Sequence, residues 1–234
     1  YAQDWDRWLK IIYDTQPNTR VVATGSASPA LMKGSRESGA GRWTVIQVPT
    51  MSFYEYCELL NLDRPNIASD LKVTTLLHKS QIERTQIMMQ LSKVQNHFMR
   101  YLQVGGFPEL ALADNDLMAQ QIMREDVVDK VLKRDLPSLY NIRNATELER
   151  IFLYLCNVSS EIVSIEAITK ELNSVSRTTV ENYIQYLESA NLIYQSWPVD
   201  MAGKKVLKAR PKIYIADAAI RNAVLMDDSV LTDP

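Results

Sequence analysis

The chain has 234 residues, a formal net charge of -2, and 46% apolar against 23% charged residues. These values predict an ordinary soluble globular protein of one to two domains. They exclude a global electrostatic attraction to nucleic acid, so any such attraction must be local.

No apolar run approaches the ~18 residues of a membrane span, and no signal-peptide pattern opens the chain. Cys57 and Cys156 form no C-x-x-C, which argues against a redox or zinc motif and for a reducing cytoplasm. The chain starts at Tyr1 and stops at Pro234 just after a strand-helix pattern, so it reads as a fragment of something longer.

Trp5, Trp8, Leu9, Ile12 and Tyr13 recur at helical spacing and predict an amphipathic helix. Pro17-Asn18 ends it. Arg20 to Pro29 then reads as a short buried strand, Val21-Val22-Ala23, with a small hydroxyl tip around Gly25. A parallel strand ending this way places polar groups where open α/β sheets bind ligands. Gly34 to Gly41 is a small-residue segment, and Thr44 to Val48 is a second strand closed by Pro49.

From Ser52 the pattern turns helical. Ser52 with Glu55 is a capping box. Ser80 to Gln103 predicts one long helix, with Ile87, Leu91, Val94, Phe98 and Leu102 inward, that stops at Gly105-Gly106. A further helix covers about Asp116 to Leu132. Asn144 to Val199 then predicts three helices. Their inward stripes are Leu148, Ile151, Phe152 and Leu155; Ile165, Ile168 and Leu172; and Val180, Tyr183, Ile184 and Leu187. Strands at Leu192 to Val199 and Pro211 to Ala216 flank a turn at Asp200 to Lys205. Three helices followed by a hairpin is the winged variant of helix-turn-helix.

The outer face of the third helix offers Arg177, Thr178, Asn182 and Gln185, side chains suited to base edges and phosphates. Glu181 and Glu188 leave that helix near neutral. The hairpin is basic, with Lys204, Lys205, Lys208, Arg210 and Lys212 against Asp200 alone, a cluster that would make DNA affinity fall with salt. The alternative is a protein-interaction or interdomain module with a solvated basic wing. No G-x-x-x-x-G-K-[ST] occurs anywhere. His78 and His97 are too far apart for a helical metal pair.

Four stretches in order carry a resemblance: DWDRWLKIIYD, RVVATGSASPAL, GAGRWTVIQVPTMSFYEY and YLQVGGFPEL. They resemble the second half of a bacterial and archaeal P-loop ATPase family of the AAA superclass. SRTTVENYIQYLESANLIYQSWPV and ARPKIYIADAAIRNAVL resemble the domain of unknown function that follows that core, a winged helix and then a restriction-endonuclease-like fold. The resemblance implies a mixed α/β chain: the C-terminal part of a parallel P-loop sheet (1–51), a helical lid with connecting helices (52–143), a winged helix-turn-helix (144–210), and the start of a truncated nuclease-like domain (211–234).

It further implies that Thr24 and Ser26 hold the sensor position that orients the attacking water, and that Arg42 can act as an arginine finger. Phosphoryl transfer rests on such positioning and charge stabilisation. The plainer alternatives are a small-residue turn at 24–28 and a surface ion pair for Arg42. Gly105-Gly106-Phe107-Pro108 matches the family's lid motif, for which a helix break that packs Phe107 is the plainer alternative. ATP and Mg are implied for an intact protein. None is expected to bind this fragment, which lacks the phosphate loop and the acidic magnesium-binding strand.

Asp217 is expected to cap a helix, because no acidic-x-lysine strand follows for a nuclease site. The implied function is an ATPase that couples nucleotide state to DNA, to a protein partner or to a homo-oligomer, away from membranes. A non-enzymatic winged-helix DNA-binding regulator is the alternative, and a toxin-antitoxin or defence-related ATPase is a third.

Overall fold

The computed structural model describes residues 5–24, 44, 46, 48–63, 65–68, 71–173, 175–199 and 209–226. In chain order these form α1 (Trp5–Thr15), α2 (Phe53–Leu59), α3 (Val73–Leu76), α4 (Gln81–Ser92), α5 (Gln95–Val104), α6 (Pro108–Ala111) and α7 (Asp116–Ile122). Two π-helical stretches, Met123–Asp129 and Val131–Asp135, lead into α8 (Leu136–Tyr140). Then come α9 (Ala145–Asn157), α10 (Ile165–Leu172), α11 (Arg177–Ser189), β1 (Ile193–Ser196), β2 (Lys212–Ile215) and α12 (Ala218–Leu225). The architecture is mostly helical, with a two-stranded antiparallel sheet among the described residues.

The chain divides into two compact units. One comprises Tyr1–Pro49 and Asp126–Ala216, the other Thr50–Glu125 and Asp217–Pro234.

In the first unit, α1 forms where the apolar spacing predicts it. Leu9 and Ile12 are half-buried, whereas Trp8 and Tyr13 are exposed. The described parts of the two predicted N-terminal strands, Arg20 to Thr24 and residues 44, 46 and 48, carry no regular structure. Val22 is 83% exposed and Val48 88%. A strand exists through its ladder with a neighbour, and no described segment pairs with either. No parallel sheet is therefore formed among the described residues.

The core of this unit lies under α9–α11 and the hairpin. Leu148, Ile151, Phe152 and Leu155 from α9 are buried, as are Ile168 and Leu172 from α10 and Val180, Tyr183, Ile184 and Leu187 from α11. These stripes are the 3.6-residue period read from the sequence. Ser164 and Ser176 cap α10 and α11 by accepting from Ala167 N and Thr179 N. β1 and β2 pair with Tyr194 opposite Tyr214, and Ile162 bridges Lys212 on the other edge of β2. The rings of Tyr140 and Tyr186 stack at 3.7 Å, fixing α8 to α11.

In the second unit, the Ser52–Glu55 and Ser80–Glu83 capping boxes start α2 and α4. The expected single helix from Ser80 to Gln103 is two helices, because the chain breaks at Lys93-Val94. Val94 leaves helical geometry at φ -107° and ψ 1° and is buried. Neither Pro nor Gly marks this break, and burial of the Val94 side chain takes the place of a continuous helical stripe. Its core gathers Tyr56, Val104, Leu110, Ala119, Ile220 and Ala223.

Candidate functional site

Of the residues expected at a nucleotide site, Thr24 is exposed and outside regular structure. Ser26 and Arg42 lie outside the described residues. Among the described residues no group of three or more His, Cys, Asp or Glu is placed to hold a metal ion. A cleft of about 870 Å³ in the second unit contains Lys79 and Glu83, already ion-paired at 3.2 Å, and no predicted site residue.

The Gly105-Gly106 motif has a clear structural role. Gly105 ends α5 at φ 83°, where a Cβ would lie 2.6 Å from Asp217 Oδ1. Gly106 N–H donates to Asp217 Oδ2 at 2.8 Å, and Ala219 N–H donates to Asp217 Oδ1 at 2.9 Å. Asp217 is buried and is the N-cap of α12, as expected from the sequence. The Gly106 carbonyl accepts from Met51 N at 2.7 Å, and Tyr101 Oη donates to the Met51 carbonyl at 2.7 Å. Burial, together with the negative charges of Asp217 and Glu55, raises the Tyr101 phenol above its usual range. Only residues without a Cβ let three chain segments approach this closely.

Arg100, unremarked in the sequence, is the other polar hub of this unit. It donates to Asp116 Oδ1, Tyr56 Oη and the carbonyls of Ala111 and Ala113. No local spacing announces this role, because its partners come from α2 and the α6–α7 connection.

The expected nucleic-acid residues Arg177, Thr178, Asn182 and Gln185 are all exposed on α11. Arg177 is committed to carboxylates: Nη1 lies 3.0 Å from Glu166 Oε1 and Nε 2.9 Å from Glu181 Oε1. Arg210 approaches the other oxygen of Glu166 at 3.7 Å. Glu166 is held below the usual carboxylate range by its own backbone N–H and the Ser164 hydroxyl, and then by Arg177 and Arg210. Glu188, also on α11, accepts from Gln195 N at 3.1 Å and Gln195 Nε2 at 2.7 Å. It fastens β1 to the helix and is not a surface countercharge. Lys204 and Lys205 lie outside the described residues.

With this geometry in place, comparison with known proteins places the chain. Residues 95–230, more than half of it, match the family described as Domain of unknown function (DUF8612). The chain belongs to the DUF8612 family. The match begins at Gln95, the first residue of α5, and runs through α12.

Residues 1–57 match an AAA domain, a coarse AAA-type likeness that spans α1, Thr24, Ser26 and Arg42. Curated relatives are themselves uncharacterised. The protein MJ1544 of Methanocaldococcus jannaschii is 28% identical over 82% of this chain and 40% of its own length. A Haemophilus influenzae protein is 24% identical over 92% of the chain and 48% of its own length. MJ1637 of M. jannaschii is 24% identical across 100% of the chain and 48% of its own length. The chain thus spans less than half the length of the relatives it matches. No solved structure matches it.

Proposed function

We propose that this DUF8612 chain is part of an AAA-type, ATP-dependent protein in which residues 144–210 form a winged-helix module that engages DNA. The carrying observation is the AAA-domain match at residues 1–57 on the same chain as α9–α11 and their hairpin. On this reading residues 1–51 supply the C-terminal part of a parallel P-loop sheet. Thr24 and Ser26 orient the attacking water there, and Arg42 offers charge to the phosphates. ATP and Mg belong to an intact protein that carries the phosphate loop. The residues of this chain do not fit them alone, since there is no phosphate loop and no carboxylate cluster among the described residues.

The module's DNA contacts fall to Arg177, Thr178, Asn182 and Gln185 and to the basic segment with Lys204 and Lys205. Phosphate neutralisation makes such binding salt-dependent. The chain is expected to retain DNA at low salt and to release it as salt rises, measured by fluorescence anisotropy. No retention even at low salt would remove the DNA role and leave a protein partner or self-association as the module's target. The helices α9–α11 with their two-stranded hairpin also fit a second reading, a non-enzymatic winged-helix DNA-binding regulator. ATP binding by the full-length H. influenzae relative would count against that reading.

A further inference from the structure

We infer that Glu166 is a built-in competitor of duplex DNA, its carboxylate standing between Arg177 and Arg210 in the place of a DNA phosphate. The inference rests on the DNA reading above and says what limits that binding.

Four charged side chains meet at the start of α11. Arg177 reaches Glu166 Oε1 through Nη1 at 3.0 Å and Glu181 Oε1 through Nε at 2.9 Å. Arg210, which precedes β2, approaches Glu166 Oε2 at 3.7 Å. One carboxylate on α10 thus divides its two oxygens between arginines of two other segments. Arginine recognises carboxylate and phosphate oxygens with the same planar set of donors, so the two anions compete for one position. In a helix-turn-helix the first residues of the recognition helix reach the DNA, and Arg177 is the first residue of α11.

Glu166 does not need the arginines to hold its place. Its Oε2 accepts from the Ser164 hydroxyl at 2.8 Å, and Ser164 caps α10 by accepting from Ala167 N. Its own backbone N–H and that hydroxyl are the main causes that lower its carboxyl, ahead of Arg177 and Arg210. Glu166 is therefore a charged acceptor set in position by the start of its own helix. Together with Glu181 it cancels the two arginines, so these four side chains carry no net positive charge towards DNA. The Arg177 and Glu166 side chains are 65% and 55% exposed, and exposed ion pairs are weak and screened by salt. Such a pair yields to a phosphate, but the apparent affinity falls with the fraction of molecules in which it is open.

The test is fluorescence anisotropy of the full 234-residue chain with a labelled DNA duplex at low salt. Glu166→Gln removes the charge and keeps an oxygen for the Ser164 hydroxyl, and a thermal melt by circular dichroism checks that it folds. It is expected to bind about fivefold more tightly than the parent. Glu171→Gln removes an equal charge from an exposed position on the same helix and is expected to stay within about twofold. In an Arg177→Ala background the gain from Glu166→Gln is expected to shrink to within about twofold, the mark of two residues acting on each other. Binding by the parent that Glu166→Gln leaves unchanged or weakens would overturn the inference while preserving the DNA role. An equal gain in Glu171→Gln, or a gain undiminished without Arg177, would reduce Glu166 to general charge and also overturn it. Absence of binding by the parent and by every variant would overturn both this inference and the DNA role.

Discussion

At the scale of single residues, Asp217 and Gly106 show how much one carboxylate can hold together. Asp217 satisfies a helix N-terminus and the N–H of a residue 111 positions earlier. Asp217→Ala leaves two N–H groups without their acceptor, and loss of a cap combined with unsatisfied donors costs about 2–4 kcal/mol. Gly106→Ala places a Cβ against the Met51 carbonyl oxygen, and such overpacking costs about 1–3 kcal/mol. Both variants are expected to lower the urea midpoint of unfolding. A midpoint unchanged in Gly106→Ala would mean that the Met51 segment moves aside at no cost. The glycine pair was legible as a helix stop, but the sequence did not tell that Asp217 occupies the space it leaves open.

At the scale of elements, the capping boxes carry their own titration. The Glu83 carboxyl is lowered from 4.5 to about 2, first by the Ser80 hydroxyl, then by the Ser80 backbone N–H and Lys79. A carboxyl whose folded pKa is depressed adds stability above its unfolded pKa and loses it as pH falls through the folded value. The start of α4 is therefore expected to loosen between pH 4.5 and about 2. Ser80→Ala should bring the Glu83 titration, followed by carboxyl NMR shifts, back towards 4.5.

The helices α9–α11 and the hairpin stand where the sequence predicts them, because period, serine caps and β-branched runs are local signals. The division between α4 and α5 was not legible. Val94 is one more apolar residue on a helical stripe until its burial in the core decides otherwise.

At the scale of the whole molecule, the chain pairs an AAA-type N-terminal stretch with a DUF8612 domain. It contains no G-x-x-x-x-G-K-[ST] sequence, whose backbone and lysine would cradle a triphosphate. The 234-residue chain is accordingly expected to show no measurable ATP affinity by calorimetry. A micromolar dissociation constant would require a phosphate site built from other residues. Among the described residues no helix is long and apolar enough to cross a membrane. The candidate site was legible in the sequence as residue types: Arg177, Thr178, Asn182 and Gln185 do share an exposed helix. Their electrostatic state was not, because Glu166 reaches Arg177 from a different helix.

By itself the sequence determined the helical segments of residues 145–189, their inward stripes, the hairpin strands and the capping of α12 by Asp217. Each of these depends on neighbours within a few positions. Only the tertiary structure decided that Asp217 closes on Gly106, that Glu188 fastens β1, that Arg177 is neutralised, and that Tyr194 and Tyr214 stand opposite each other in the open. Those outcomes depend on which distant segments meet. Spacing along a chain records the period of an element but not the identity of what packs against it.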